Sequence, residues 1–118
     1  MKNRIKFKLL SNLLSKSKRN LKGIKTCNMA FFKKDCISVN GFNEDFVGWG
    51  REDSEFAVRL LNNNILRKNI KFSAIAYHIF HNENSREMLS VNDDILENSI
   101  KSKLISCKNG IAKYIGLI

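Results

Sequence analysis

Not one Asp or Glu occurs in the first 34 residues of this 118-residue chain, which hold eleven Lys or Arg. The other residues hold ten Lys or Arg against eleven acids, so the net charge of +10 is an N-terminal feature and the body is near neutral. A basic segment of this kind suits nucleic acid, an anionic membrane face or the phosphates of a nucleotide. It lacks the interleaved aromatics that base stacking uses, and no zinc-finger or RNA-recognition pattern occurs, which argues against a nucleic-acid module. No apolar run approaches the ~20 residues that a membrane-spanning helix needs. The apolar stretch near the start is broken by Ser11 and Asn12, and no secretory signal or cleavage site is expected. The three cysteines, Cys27, Cys36 and Cys107, form no C-x-x-C pair. Their odd number excludes a fully paired disulfide framework and suits a reducing compartment, and no zinc-ligand spacing is present. Proline is absent, which decides little, and there is no internal repeat.

What is present alternates between helical and extended patterns. Ile5, Leu9, Leu10, Leu13 and Leu14 have helical spacing, so residues 3–20 predict a basic amphipathic helix that Gly23 ends. Such a helix suits a membrane surface or another part of the protein. Residues 27–32 read as a buried strand and residues 34–39 as a short helix stopped by the Asn40-Gly41 pair. Phe56, Ala57, Leu60 and Leu61 share one face of a helix over residues 52–62, whose first turn holds Glu52, Asp53 and Glu55. Residues 65–70 and 72–80 predict two strands, and residues 93–105 a second amphipathic helix. Residues 81–90 read as polar loop, Asn109-Gly110 as a turn and residues 111–118 as an apolar tail. The alternation predicts an α/β arrangement with a small sheet.

Between these elements lies an uncommon loop. Residues 41–50 combine three glycines with Phe42, Phe46 and Trp49, and they run directly into the paired carboxylates Glu52 and Asp53. The glycines, Gly50 among them, allow backbone to approach a ligand closely. An indole face can stack on the C–H face of a sugar ring. An ionised carboxylate beside a sugar hydroxyl can act as a general base. The alternative is that Glu52 and Asp53 cap the helix while Trp49 fills the core.

The run Gly48-Trp49-Gly50-Arg51-Glu52-Asp53 resembles the G-W-G-x-E-D signature of the galactosyltransferase-type C-terminal region in GT-A-fold, family 2-like glycosyltransferases. Residues 27–31 with Lys34-Asp35 resemble that family's preceding strand and helix, and residues 77–81 resemble its metal-ligand histidine strand. The resemblance covers residues 23–115. It implies the C-terminal half of a GT-A (Rossmann-like) fold: a small mixed sheet with flanking helices over residues 23–118, preceded by the basic segment 1–22. By the same resemblance Asp53 is the catalytic base of an inverting transfer. Glu52, Trp49 and Gly50 contact the acceptor, and His78, with His81 as its rival, helps hold Mn2+ or Mg2+. In a strand, positions three apart face opposite ways, so one ion would not take both histidines.

The family's donor-binding half, ending in an Asp-x-Asp motif, has no counterpart in these residues. The expected activity is therefore that of a fragment of a UDP-hexose-dependent transferase acting on a glycan in bacterial surface-polysaccharide synthesis. Its partners would be a UDP-sugar and a glycan, with no nucleic acid, and residues 1–22 would touch a membrane. Its place would be the cytoplasm, at the inner face of the cytoplasmic membrane. The isolated chain is expected to show negligible transfer. The competing expectation is a catalytically silent remnant or a half-domain that binds glycan or a partner chain.

Overall fold

The computed structural model describes residues 6–73, 75, 77, 79–82 and 85–116. The chain divides into two compact units. The first joins Met1–Asn20 to Leu66–His81, and the second joins Leu21–Ile65 to Asn82–Ile118.

In the first unit, helix α1 spans Lys8–Leu14 and strand β1 Lys16–Lys18. β1 pairs antiparallel with β2, Arg67–Asn69, with Ser17 opposite Lys68. The long basic helix expected over residues 3–20 is thus a helix of two turns followed by a strand, because residues 16–18 find a partner strand instead of continuing the helix. Helix α1 is tied down by its polar side. Ser11 is its buried residue, bonded to Ser73 through the two hydroxyls, while the Phe7 N–H donates to the Phe72 carbonyl at 2.9 Å. The sheet among the described residues is this antiparallel pair, not the small mixed sheet expected. The strand expected over residues 72–80 does not form in its described part, and residues 74, 76 and 78 lie outside the described residues.

In the second unit, residues 27–32 are not the buried strand expected. Thr26–Asn28 make a single 3-10 turn, and Cys27, Phe31 and Phe32 are exposed. Helix α2, Lys33–Ser38, ends as expected at Asn40 and Gly41, which both take positive φ (63° and 70°). Helix α3, Glu52–Asn62, has the bounds read from the sequence, but residues 55–60 are all buried, not one face alone. Val39, Phe56 and Leu60 form the core, with Met29, Cys36, Phe42 and Ile65 packed against them. Phe42 stacks on Phe56 with ring centres 4.3 Å apart, and Phe31 meets Phe56 edge-on at 5.0 Å.

Helix α4, Leu89–Lys101, packs against α3. It starts four residues before the expected residue 93, and its buried positions are polar: Asn92 and Ser99, seven apart on one stripe. Ile100, on the other hand, is 47% exposed. Ser99 donates to Glu55 Oε1 at 3.0 Å, which explains why a serine occupies the interface. After α4 the chain turns back onto the α2 terminus. The Asn40 amide donates to the Cys107 carbonyl at 2.8 Å, and its Oδ1 accepts the Ala112 N–H at 2.7 Å. A Cβ at Gly110 would lie 1.9 Å from the Asn40 carbonyl oxygen, so only glycine fits this approach. Helix α5, Ala112–Ile115, closes the described chain.

Candidate functional site

The glycine loop is shaped by α4 more than by its own sequence. Gly48 and Gly50 take φ of +73° and +106°, conformations that favour glycine, and Arg51 follows at +78°. The Asn92 side chain, 1% exposed, donates from Nδ2 to the carbonyls of Val47 and Gly50, both at 3.0 Å. Those two bonds bracket Gly48 and Trp49. A Cβ on Gly48 would meet the Ser85 carbonyl at 3.2 Å, and one on Gly50 would meet Leu89 at 3.1 Å. The Arg51 guanidinium pairs with Asp93 on the same helix. Asn43, buried, accepts the Asp45 N–H at 3.1 Å and tightens the start of the loop.

This clamping presents Trp49 outward. Its side chain is 41% exposed, and the Arg86 guanidinium lies 4.4 Å from the ring centre. The alternative that Trp49 fills the core therefore fails. Such stacking is a cation–π contact.

At the start of α3, the N-cap residue is Arg51, with no side-chain cap bond. Asp53 reaches away from its helix instead. Its Oδ2 accepts the backbone N–H of Thr26 at 3.2 Å, and its Oδ1 accepts the Ser54 hydroxyl at 3.4 Å. Both donors are neutral, so the carboxylate is oriented without being paired to either as a salt. Thr26 and Glu52 line a cavity of about 400 Å3 together with Phe42, Asn43, Phe46 and Gly48. Asp53 is thus fixed to the cavity wall through Thr26, and the mixed apolar and carboxylate lining suits a sugar, which has both C–H faces and hydroxyls.

The structure brings Trp49, Gly50, Glu52 and Asp53 together on one loop-to-helix segment. His78 lies outside the described residues. His81 is exposed and belongs to the first unit. Among the described residues no group of three or more His, Cys, Asp or Glu side chains could hold a metal ion, so these residues by themselves do not fit one. Burial pushes the thiols of Cys36 and Cys107 above their ordinary value, which opposes thiolate formation.

Sequence reasoning missed Thr26, Arg86 and Asn92. For Asn92 a signal existed: with Ile95, Leu96 and Ser99 it completes an i, i+3, i+4, i+7 stripe, so the stripe carries polar residues where a plain core face would not. Thr26 acts through its backbone N–H, which its side chain does not announce.

Comparison with known proteins places this geometry in context. A family model described as the N-terminal domain of galactosyltransferase matches residues 10–82. Chondroitin synthase of Escherichia coli is 39% identical over 51 residues, which are 43% of this chain and 7% of that protein. The chain thus spans a small part of that relative's length. No solved structure matches. The family description names an N-terminal domain, whereas the motif resemblance, stated for residues 23–115, reads the shared residues 23–82 as part of a C-terminal region; both refer them to galactosyltransferases. None of the described helices is long and apolar enough to cross a membrane.

Proposed function

Because the chain belongs to the family of the N-terminal domain of galactosyltransferase, we propose that it carries the acceptor side of a glycosyltransferase, with Asp53 as general base. The observation that carries this reading is the Asp53 carboxylate held by the N–H of Thr26, a residue that lines a cavity together with Glu52. In this reading the GT-A fold is completed by a donor-binding part that these residues do not supply. The transfer proceeds with inversion. An acceptor hydroxyl gives its proton to the Asp53 carboxylate while the oxygen attacks the anomeric carbon of a UDP-hexose, and the diphosphate leaves with the bonding electrons. Glu52 hydrogen-bonds the acceptor sugar, the exposed Trp49 indole stacks on its C–H face, and Gly50 lets it approach the backbone. A divalent cation, Mn2+ or Mg2+, would neutralise the leaving diphosphate; its ligands, His78 or His81 among them, would need groups beyond those described. The product would be a bacterial surface polysaccharide, made at the cytoplasmic face of the inner membrane.

The test is titration of the full chain with oligosaccharides, read by Trp49 emission and by the amide resonances of Thr26, Glu52 and Asp53. Trp49 is the sole tryptophan, so its emission reports the loop alone. Saturable changes at these residues are expected. Changes confined to other residues would remove the cavity from the reading. A second reading is a glycan-binding half-domain without transfer, favoured by a cavity whose Phe42, Phe46 and Glu52 lining suits a sugar without any metal. Transfer measured with the donor-binding part supplied, on the same or a separate chain, separates the two. Product that depends on Asp53 supports the transferase, and glycan binding without product supports the half-domain.

A further inference from the structure

Helix α1 is built inside out. Its buried residue is Ser11, held to Ser73, while Leu9 and Leu13 are 74% and 75% exposed. These leucines are four apart, one above the other on the outer side. Phe7, Leu10 and Leu14 are also exposed, and the second segment of the same unit exposes Tyr77, Ile79 and Phe80. A folded unit ordinarily turns such residues inward, and apolar side chains gathered on an exposed helix face mark an interaction surface.

The charge around these residues calls for an anionic occupant. Residues 1–20 carry seven Lys or Arg and residues 66–81 carry three, and neither segment holds an Asp or Glu. Pairing of β1 with β2 puts Lys16 and Lys18 beside Lys68 and Arg67, so basic residues distant in sequence share one sheet. We propose that this unit binds an anionic lipid surface, with the leucine side of α1 entering the headgroup boundary and the Lys and Arg side chains meeting lipid phosphates. An apolar helix face within a purely cationic unit is the chemistry of an interfacial anchor. Nucleic acid or an acidic protein tail would satisfy the charge but leave the leucines in water. The inference extends the contact expected of residues 1–22 to a two-segment surface, and it does not depend on the carboxylate site.

The test is sedimentation of the full chain with vesicles of phosphatidylcholine alone and with about one-third phosphatidylglycerol. Binding to the anionic vesicles is expected to be at least about tenfold stronger and to fall as salt is raised. The double substitution Leu9→Ser, Leu13→Ser, at outward positions, should weaken it by about tenfold or more with an unchanged circular-dichroism spectrum. In the double substitution Leu13→Trp, Trp49→Phe, the remaining indole should shift blue on vesicle addition and be quenched by brominated lipid tails. Asp53→Asn should bind vesicles as the natural chain does, so failure of the transferase reading leaves this result untouched. No sedimentation with anionic vesicles, no quenching of the introduced indole, or equal binding by the serine variant would overturn the proposal. So would DNA binding of the same strength that is indifferent to the leucines.

Discussion

Arg59 grips Glu55 with two parallel hydrogen bonds, Nε to Oε1 at 2.7 Å and Nη2 to Oε2 at 2.8 Å, and neither side chain has any exposed surface. Arg59 Nη1 also donates to the Val39 carbonyl at the end of α2, and Ser99 of α4 donates to Glu55. One ion pair therefore joins three helices in the interior.

Removing either charge alone leaves the other buried without its counterion, which typically costs about 3–5 kcal/mol. Arg59→Leu or Glu55→Leu is expected to lower the urea midpoint steeply, since a domain has only about 5–15 kcal/mol in total. The double substitution removes both charges and should be less destabilised than the two single losses added together. Additive losses in the denaturation series would show that the pair is not coupled.

Asn92→Ala frees the Val47 and Gly50 carbonyls from their only described side-chain donor. These bonds are part-buried, so each loss should cost on the order of 1 kcal/mol, toward the low end for an acceptor that loses its donor. The loop should loosen, and Trp49 emission should become more accessible to acrylamide. Asn92→Asp should be worse than alanine, because it sets a carboxylate against two carbonyl oxygens. The Asn92 Oδ1 is already buried without a partner among the described residues, so a second acceptor at this position would add to one that is unpaired.

The same two sites show why the sequence was legible only in part. Helix α3 could be bounded to the residue because its acidic first turn and closing asparagines are local signals. The Asn40-Gly41 stop was readable for the same reason. Strand β2 was readable, inside the strand expected over residues 65–70, but its partner β1 was not, since a three-residue strand whose pairing residues lie 49 or more positions away exists only through that pairing. Helix α1 was readable as a helix, but its orientation was not: periodicity identifies a leucine face without saying whether it turns in or out. The burial of Glu55 and Arg59 was equally hidden, because an i, i+4 pair of this order ordinarily lies on a solvated surface. The Gly48-to-Asp53 run could be recognised by resemblance, while its support by Asn92 and Thr26 comes from residues distant in sequence.

Asp53→Asn keeps an oxygen that can accept the Thr26 N–H and removes the ability to take up a proton. With the donor-binding part supplied, turnover should fall about 100- to 10,000-fold with little change in KM, as expected for loss of a general base. Asp53→Ala additionally frees Thr26 and should alter the cavity, so its KM should rise as well. Equal turnover in the natural chain and Asp53→Asn would assign the base elsewhere.

The pH dependence of stability should carry a small component from Glu44. Its carboxylate accepts from Lys113 Nζ at 2.7 Å and from the Tyr114 hydroxyl at 3.1 Å. The Lys113 hydrogen bond, helped by that of Tyr114, holds the Glu44 carboxyl below its ordinary value against an opposing push from desolvation and from Asp45, and the same Lys113 bond raises Lys113 above its own. A carboxyl whose folded value is depressed stabilises the fold above its unfolded value and loses that contribution as pH falls through the folded one. Thermal midpoints of the natural chain and Glu44→Gln should therefore differ most at neutral pH and converge below about pH 4. Lys113 adds the mirror case, with its share lost only as pH rises through the raised lysine value. Both groups are solvent-exposed, so the difference should shrink in high salt. A gap between the two midpoints that persists at pH 3 would mean that Glu44 acts through packing and not through its charge.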